Sequence, residues 1–331
     1  MKIKDYVANY FFITESILKK YKPNAIVKVQ FFQRNDDVML SGMKEVLKLL
    51  KNNTDTSKYE IKHLNDQTII SNLEPVLELT GKYEYFGVFE GVIDGILARS
   101  SSIATNAYRC IQAANGKNIV YMGDRGDHYK MQEIDGQAVE DAGIIGHSTL
   151  AGSQGNVDVI FGSIPHILIQ HFDGNTLEAM KAYVSLFPQE KEFIALVDFN
   201  NDVINDSLDV LKELGKKLWG VRVDTSKNMV DKMFANEEPQ YGVNVEQIKR
   251  LRKALDENNG SHVKIIVSSG FTYEKIKFFE DNFAPVDSYG VGESILKINI
   301  GFSCDAVVID GKKLAKVGRG YRENKNLILF K

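Results

Sequence analysis

Arginine, histidine and aspartate recur along the middle of this chain in an order that suits the handling of anions. Arg125 and His128 lie three apart in YMGDRGDHYKMQ, Ser148 sits in the small-residue turn GHSTLAG, and His166 follows the β-rich run VDVIFGSIPH. Asp198 closes FIALVD, Arg222 and Asp224 share GVRVDT, Ser268, Ser269 and Gly270 end VKIIVSSG, and Gly290 and Gly292 flank the valine of YGVGES. Charge placement is the chemistry such a set can do. Two fixed guanidiniums suit a polyanion with two charged regions. The aspartates can hold sugar hydroxyls or Mg²⁺, or stabilise a developing positive carbon. Small residues with free N–H groups at successive strand ends suit a phosphate dianion. No Gly-x4-Gly-Lys-Ser/Thr loop occurs, and Gly290-Val-Gly292 lacks the third glycine of a dinucleotide fingerprint, which excludes a P-loop or Rossmann site.

Groups so far apart in sequence converge only if the chain between them brings strand ends together. From Asn118 onward the pattern alternates: NIVYMG as strand, residues 129–142 as helix, VDVIFG as strand, 175–187 as helix, FIALVDF as strand, 202–214 as helix. LWGVRVD, VKIIVSSG and DSYGVG continue as strands, with helices over 245–258 and 272–282. About six βα units predict a parallel sheet in an irregular, incomplete TIM-like α/β barrel, whose functional side is the carboxyl rim of its strands.

Ahead of it, residues 5–20 carry helical spacing, AIVKVQFF reads as strand, and SGMKEVLKLLKN as a helix with Ser41 as N-cap. Residues 71–80 read as helix, YFGVFEGVI as a glycine-broken strand, and 96–115 as a long small-residue helix. The tail returns to β character in AVVID, KLAKVG and NLILF, a hairpin expected to pack back on the first domain. The expected division is therefore residues 1–115 with 300–331 as a discontinuous α/β domain, and 116–299 as the barrel.

Composition narrows the class. At 331 residues with 44% hydrophobic and 26% charged content, the chain suits two domains with a sizeable core. A net charge of −3 supplies no basic field for nucleic acid or an anionic membrane. Two cysteines exclude a disulfide framework and fit a reducing compartment, and no run of apolar residues is long enough for a membrane span. A cytoplasmic protein is expected.

The motifs, taken together and in order, resemble the nicotinate phosphoribosyltransferase family, the nicotinate/nicotinamide branch of the type II phosphoribosyltransferases. ANYFFITESIL is similar to the family's Asp/Asn-x-Tyr segment, GVFEG and SSIATNAYR to its Glu-Gly and Ser-x4-Asn-x-x-Arg stretch, and MGDRGDH to its aromatic-Gly-x-Arg-x-x-His motif. GHSTLAG, GSIPH, LVDFNND, GVRVDT, VSSGF and YGVGESI follow in the family's order, so that the likeness covers most of the chain.

The resemblance implies an irregular barrel beside an α/β domain built from both chain ends, in a homodimer whose active sites are shared across the interface. It implies that nicotinate and phosphoribosyl pyrophosphate give nicotinate mononucleotide and pyrophosphate, with Mg²⁺ and with ATP as co-substrate. His166 then matches the histidine that ATP phosphorylates, and Arg125 and Arg222 match arginines contacting pyridine and donor; His128 completes the Arg-x-x-His pair. Asp198 and Asp224 match acids near ribose and metal; which of them holds Mg²⁺ is open. Tyr10 matches an aromatic stacking on the pyridine in the partner's site, and Arg34 an arginine offered to phosphate across the interface. Met122 stands where the family has a ring-stacking aromatic. Nicotinamide-using relatives carry an aspartate where this chain has Ser148; a carboxylate there would repel nicotinate by several kcal/mol, so neutral Ser148 favours the acid. Two alternatives remain: quinolinate phosphoribosyltransferase, which needs more cations around its diacid and no ATP, and a non-catalytic nucleotide-sensing relative.

Overall fold

The computed structural model describes residues 2–331 and divides into two compact units. The first comprises residues 2–105, Glu140–Ala142 and Lys297–Lys331, the second Asn106–Val139 and Gly143–Leu296.

In the first unit a six-stranded antiparallel sheet runs in the order Lys312–Lys313, Ser303–Ile309, Val27–Phe32, Leu77–Gly81, Glu60–His63, Ile328–Leu329. The expected tail hairpin does return to this sheet: Val27 pairs with Ile309 and Phe32 with Ser303. Its core gathers Phe31, Leu77 and Leu79 from the sheet with Met43, Val46 and Leu50 from helix Met43–Asn53, all nearly inaccessible.

Three local expectations fail here. Residues 71–80 are not helical; strands Ile69–Ile70 and Leu77–Gly81 lie either side of a turn in which Leu73 has φ 61°. Pro75 supplies no N–H and disfavours helical geometry at Glu74, which ends any helix there. YFGVFEGVI is not a strand but the 3₁₀ turn Gly87–Phe89 followed by helix Glu90–Ala113. Buried Phe89, Ile93 and Leu97 recur at four-residue spacing, the period that wins. Ser41 does not cap its helix, since Gly42 takes that place and the Asp66 carboxylate accepts from the N–H groups of Met43 and Lys44 at 2.7 and 3.0 Å. Strand Glu60–His63, absent from the sequence reading, lies between Leu77–Gly81 and the chain's end.

The second unit is built on an all-parallel sheet in the order Gly146–His147, Asn118–Tyr121, Ser288–Val291, Lys264–Val267, Leu218–Val223, Phe193–Leu196. The strand runs are almost unbroken apolar stretches: all four residues of Phe193–Leu196 are buried, as a sheet covered on both faces demands. The outer strands Gly146–His147 and Phe193–Leu196 do not pair with each other, so the barrel is open.

VDVIFG accounts for part of that opening. It was expected as a strand, yet Asn156 caps a 3₁₀ turn over Val157–Val159, and only Ile160 bridges to His147. The helices have conventional starts. Asn175, Asn244 and Thr272 each accept from the N–H three residues on, opening Thr176–Leu186, Val245–Glu257 and Tyr273–Asp281. Fold class is thus as expected, an incomplete TIM-like α/β barrel with an α/β unit made from the N- and C-terminal segments. No helix among the described residues is long and apolar enough to cross a membrane.

Candidate active site

Parallel strands direct all their carboxyl ends to one rim, and in this unit three neighbouring strands deliver the chemistry. Arg222 is the second-to-last residue of Leu218–Val223, and its side chain is only 14% exposed. Its Nε donates to Ser163 Oγ at 2.7 Å, Nη1 to Ser268 Oγ at 3.1 Å and Nη2 to the Ile164 carbonyl at 3.4 Å. Asp224 Oδ2 lies 3.3 Å from Nη1, while Ser268 Oγ donates to Asp224 Oδ1 at 2.6 Å. Four side chains, from two strand ends and the loop ahead of His166, therefore hold one another in a fixed fork.

Next to it, His166 opens the short helix His166–His171 and brings Nε2 to 3.1 and 3.2 Å from the Asp198 carboxylate oxygens. Asp198 is 7% exposed. Burial pushes its carboxyl above the usual carboxylate range; the His166 imidazole and Arg222 pull it down, Asp224 pushes it up, and burial prevails. Those mutual influences place Asp198, His166, Arg222 and Asp224 in one electrostatic neighbourhood. In it a part-buried cation and two carboxylates face each other across a few ångströms, an arrangement that can stabilise separated charge without reorganising.

The phosphate-type bend follows the next strand. Ser269 and Gly270 adopt φ 76° and 65°, and Ser268 is buried. The N–H groups of Ser269, Gly270 and Phe271 donate to no protein acceptor among the described residues. Gly290 and Gly292 have a further reason to be glycine: a Cβ at 290 would fall 2.6 Å from Met122 Sδ, and one at 292 would fall 2.4 Å from the Met122 carbonyl. Met122 thereby packs against the Ser288–Val291 strand and beside Ser268, on the same rim.

Arg125, His128 and Ser148 follow strands at the other end of the sheet, with no hydrogen bond or ion pair to the Arg222 fork among the described residues. Arg125 is 91% exposed and reaches only Asp124, 3.7 Å away. His128 is exposed, and its Nδ1 accepts from Lys130 N–H. Ser148 is half-buried and ties its N–H to the Tyr121 carbonyl, which sets it at the ends of strands Gly146–His147 and Asn118–Tyr121. His147 is buried edge-on to Tyr121, and burial pushes its imidazole pKa down.

In the other unit, Tyr10 is 62% exposed beside Phe11, and Arg34 Nη1 donates to Ser303 Oγ at 2.9 Å. Sequence reasoning passed over Lys275. It stands in the first turn of Tyr273–Asp281, where a cation opposes the helix dipole. That misplacement was the available signal.

Known proteins share both the sequence pattern and this fold. Residues 10–101 match the family model described as the quinolinate phosphoribosyl transferase N-terminal domain. The crystal structure of nicotinate-nucleotide pyrophosphorylase from Pyrococcus furiosus superposes with a TM-score of 0.83 and 29% identity, over 99% of this chain and 82% of that one. In sequence and fold the chain is therefore similar to the type II phosphoribosyltransferases. Human nicotinic acid phosphoribosyltransferase shares the phosphoribosyltransferase fold at a TM-score of 0.71 and 16% identity, over 93% of this chain and 76% of that one. A nicotinate phosphoribosyltransferase of Mycobacterium tuberculosis, pncB1, is 24% identical over 226 residues, 67% of this chain and 46% of its own length. The chain spans about half the length of the curated relatives it matches.

Proposed function

We propose that this chain transfers a phosphoribosyl group from phosphoribosyl pyrophosphate to the ring nitrogen of a pyridine carboxylic acid, as a step of NAD-related metabolism. The observation that carries this reading is the fork of Arg222, Ser163, Ser268 and Asp224 beside the His166–Asp198 pair. Loosening the C1–O bond of the donor leaves a cationic sugar carbon and an anionic leaving group. A fixed guanidinium suits the second, and the Asp198 and Asp224 carboxylates suit the first. The Ser268–Gly270 bend takes the donor's sugar phosphate. Ser148 and Arg125, at the neighbouring strand ends, face the acceptor's carboxylate, with His128 following Arg125 on the same loop.

No group of three or more His, Cys, Asp or Glu stands ready to hold a metal ion among the described residues. Mg²⁺ in this reading therefore arrives on the donor's phosphates and takes at most a carboxylate or two from the protein, a regime that suits this ion. ATP coupling would act through His166, whose Nε2 is committed to Asp198 and whose Nδ1 is left to accept a phosphoryl group. A second copy of the chain is expected to complete the site with Tyr10 and Arg34. Supporting this, Tyr10, Ile13, Ile17 and Tyr21 form an exposed apolar stripe at helical spacing along Asn9–Tyr21.

Two acids compete as acceptor. The quinolinate phosphoribosyl transferase domain match and the Pyrococcus relative weigh toward quinolinate. Neutral Ser148 and a rim with few cations weigh toward nicotinate. Product formation from nicotinate, quinolinate and nicotinamide in parallel, with and without ATP, separates them: quinolinate use releases carbon dioxide and ignores ATP, whereas nicotinate use is accelerated by ATP. Specific activity should fall on dilution as the dimer dissociates. Absence of pyrophosphate release with all three acceptors would refute the reading.

A further inference from the structure

Lys275, a charged side chain beside the Ser268–Gly270 bend, is left without a role by the transfer reading. Its ammonium lies 4.3 Å from the centre of the Phe271 ring and 5.8 Å from that of Phe279, and Nζ reaches the Ser269 carbonyl at 3.4 Å. It pairs with no carboxylate among the described residues. A lysine wrapped in two aromatic rings, in the first turn of a helix, carries two costs: desolvation and an opposed dipole. Its backbone is fixed as well, because Lys275 N–H donates to the Thr272 cap.

The bend explains the arrangement. The Ser269–Gly270 peptide is trans, so its C=O and N–H point in opposite directions. Anchoring the Ser269 oxygen on Lys275 therefore turns the Gly270 N–H to the opposite side of the bend. There it joins the N–H groups of Ser269 and Phe271 in lacking a protein acceptor among the described residues. We propose that Lys275 is a positioning residue for the donor's sugar phosphate, holding the Ser269–Gly270 peptide so that its N–H faces the dianion while its own charge lies behind the bend. This rests on the phosphoribosyl-transfer reading.

Burial alone lowers the Lys275 ammonium to about 8. The other titratable groups of its own helix are Tyr273, Glu274, Lys277, Glu280 and Asp281, of which Lys277 and Asp281 pair with each other; neighbouring elements bring Tyr289, bonded to Glu280, and Asp224, bonded to Ser268. Phosphate affinity should accordingly decline as pH rises through about 8, when the ammonium loses its proton.

The test uses ribose 5-phosphate as probe, titrated calorimetrically into the full-length chain, so that no turnover is needed. Lys275→Met should weaken binding about tenfold at pH 7 and abolish the decline near pH 8, and Lys275→Arg should restore most of the affinity. In the transfer assay the same loss should appear in the donor KM, with kcat at saturating donor and the acceptor KM unchanged. Lys275→Gln, which keeps a donor group without the charge, gives a second reading should the Met variant fold poorly. Wild-type affinity and an unaltered pH flank in the substituted proteins would overturn the proposal. Probe binding by the unmodified chain without transfer to any pyridine acid would sink the function reading alone, and absence of probe binding would sink both.

Discussion

Around the ends of Phe193–Leu196, Leu218–Val223 and Lys264–Val267, the charged groups of the rim are fastened to one another. Around Asn118–Tyr121 and Gly146–His147 they stand in solvent. Arg222 and Arg125 state the contrast: side chains 14% and 91% exposed, the first bonded to two hydroxyls, a carbonyl and a carboxylate, the second only loosely near Asp124. A fastened dipole stabilises developing charge without first having to be ordered. A solvated arginine must lose rotamer freedom when a ligand arrives, and that loss is charged against affinity. In the proposed reaction the bonded half therefore suits the transition state, and the open half the capture of the acceptor.

Substituting the two arginines tests that division most directly. Arg222→Ala should lower kcat/KM for transfer by about 10³, mainly through kcat. It should also lower Tm by several degrees, because Asp224 and Ser163 lose their shared partner. Arg125→Ala should raise the acceptor KM by about tenfold and leave kcat and Tm in place. Steady-state kinetics with thermal melts of both proteins reads this directly. If both changes fell on KM alone, the distinction between the halves would be lost.

A change of sign within the open half comes next in size. Ser148→Asp sets a carboxylate where the acceptor's own carboxylate is expected. At about 4 Å and an effective dielectric near 20, two such charges repel by roughly 4 kcal/mol, a figure that solvent at this half-buried position reduces. A loss of about 100-fold in kcat/KM for the acid acceptors is expected, with nicotinamide gaining relative to them and Tm unchanged. Equal effects on acids and amide would show that Ser148 does not face the carboxylate.

Sequence made one half of this site far more legible than the other. Arg222, Asp224, Ser268 and Asp198 stand at the ends of continuous apolar runs that only a doubly covered parallel strand explains, so both their element and their side of the sheet followed from pattern. What held them was not visible: Ser163 and His166 come from a segment whose β-rich composition predicted a strand, while the Asn156 cap and the left-handed Gly155 turned it into a 3₁₀ turn. Residues 71–80 failed for a similar reason. Helical spacing was present, but Pro75 and the pairing of Leu77–Gly81 with two neighbouring strands overrode it. His147 shows the limit for single residues, since burial of an imidazole depends on the Tyr121 ring beside it, a contact no local pattern encodes.

The smallest expected effect bears on whether the bonded half is held together at the expense of stability. Burial raises the Asp198 carboxyl despite its histidine and arginine neighbours. In the pH window between the ordinary carboxylate value and the raised native one, the folded chain keeps a proton that the unfolded chain has lost. Stability therefore falls as pH climbs through that window, and above it the penalty is fully present. Asp198→Asn removes the charge while keeping an acceptor for His166 Nε2. The variant should melt about 1–3 °C above the wild type at pH 8, a difference that shrinks toward pH 4, while transfer falls about tenfold or more. Stability gained where activity is lost marks a carboxylate kept for its charge. An Asp198→Asn protein that melted lower than wild type at pH 8 would instead make the His166–Asp198 pair a structural tie, and the contrast between the two halves would then reflect packing alone.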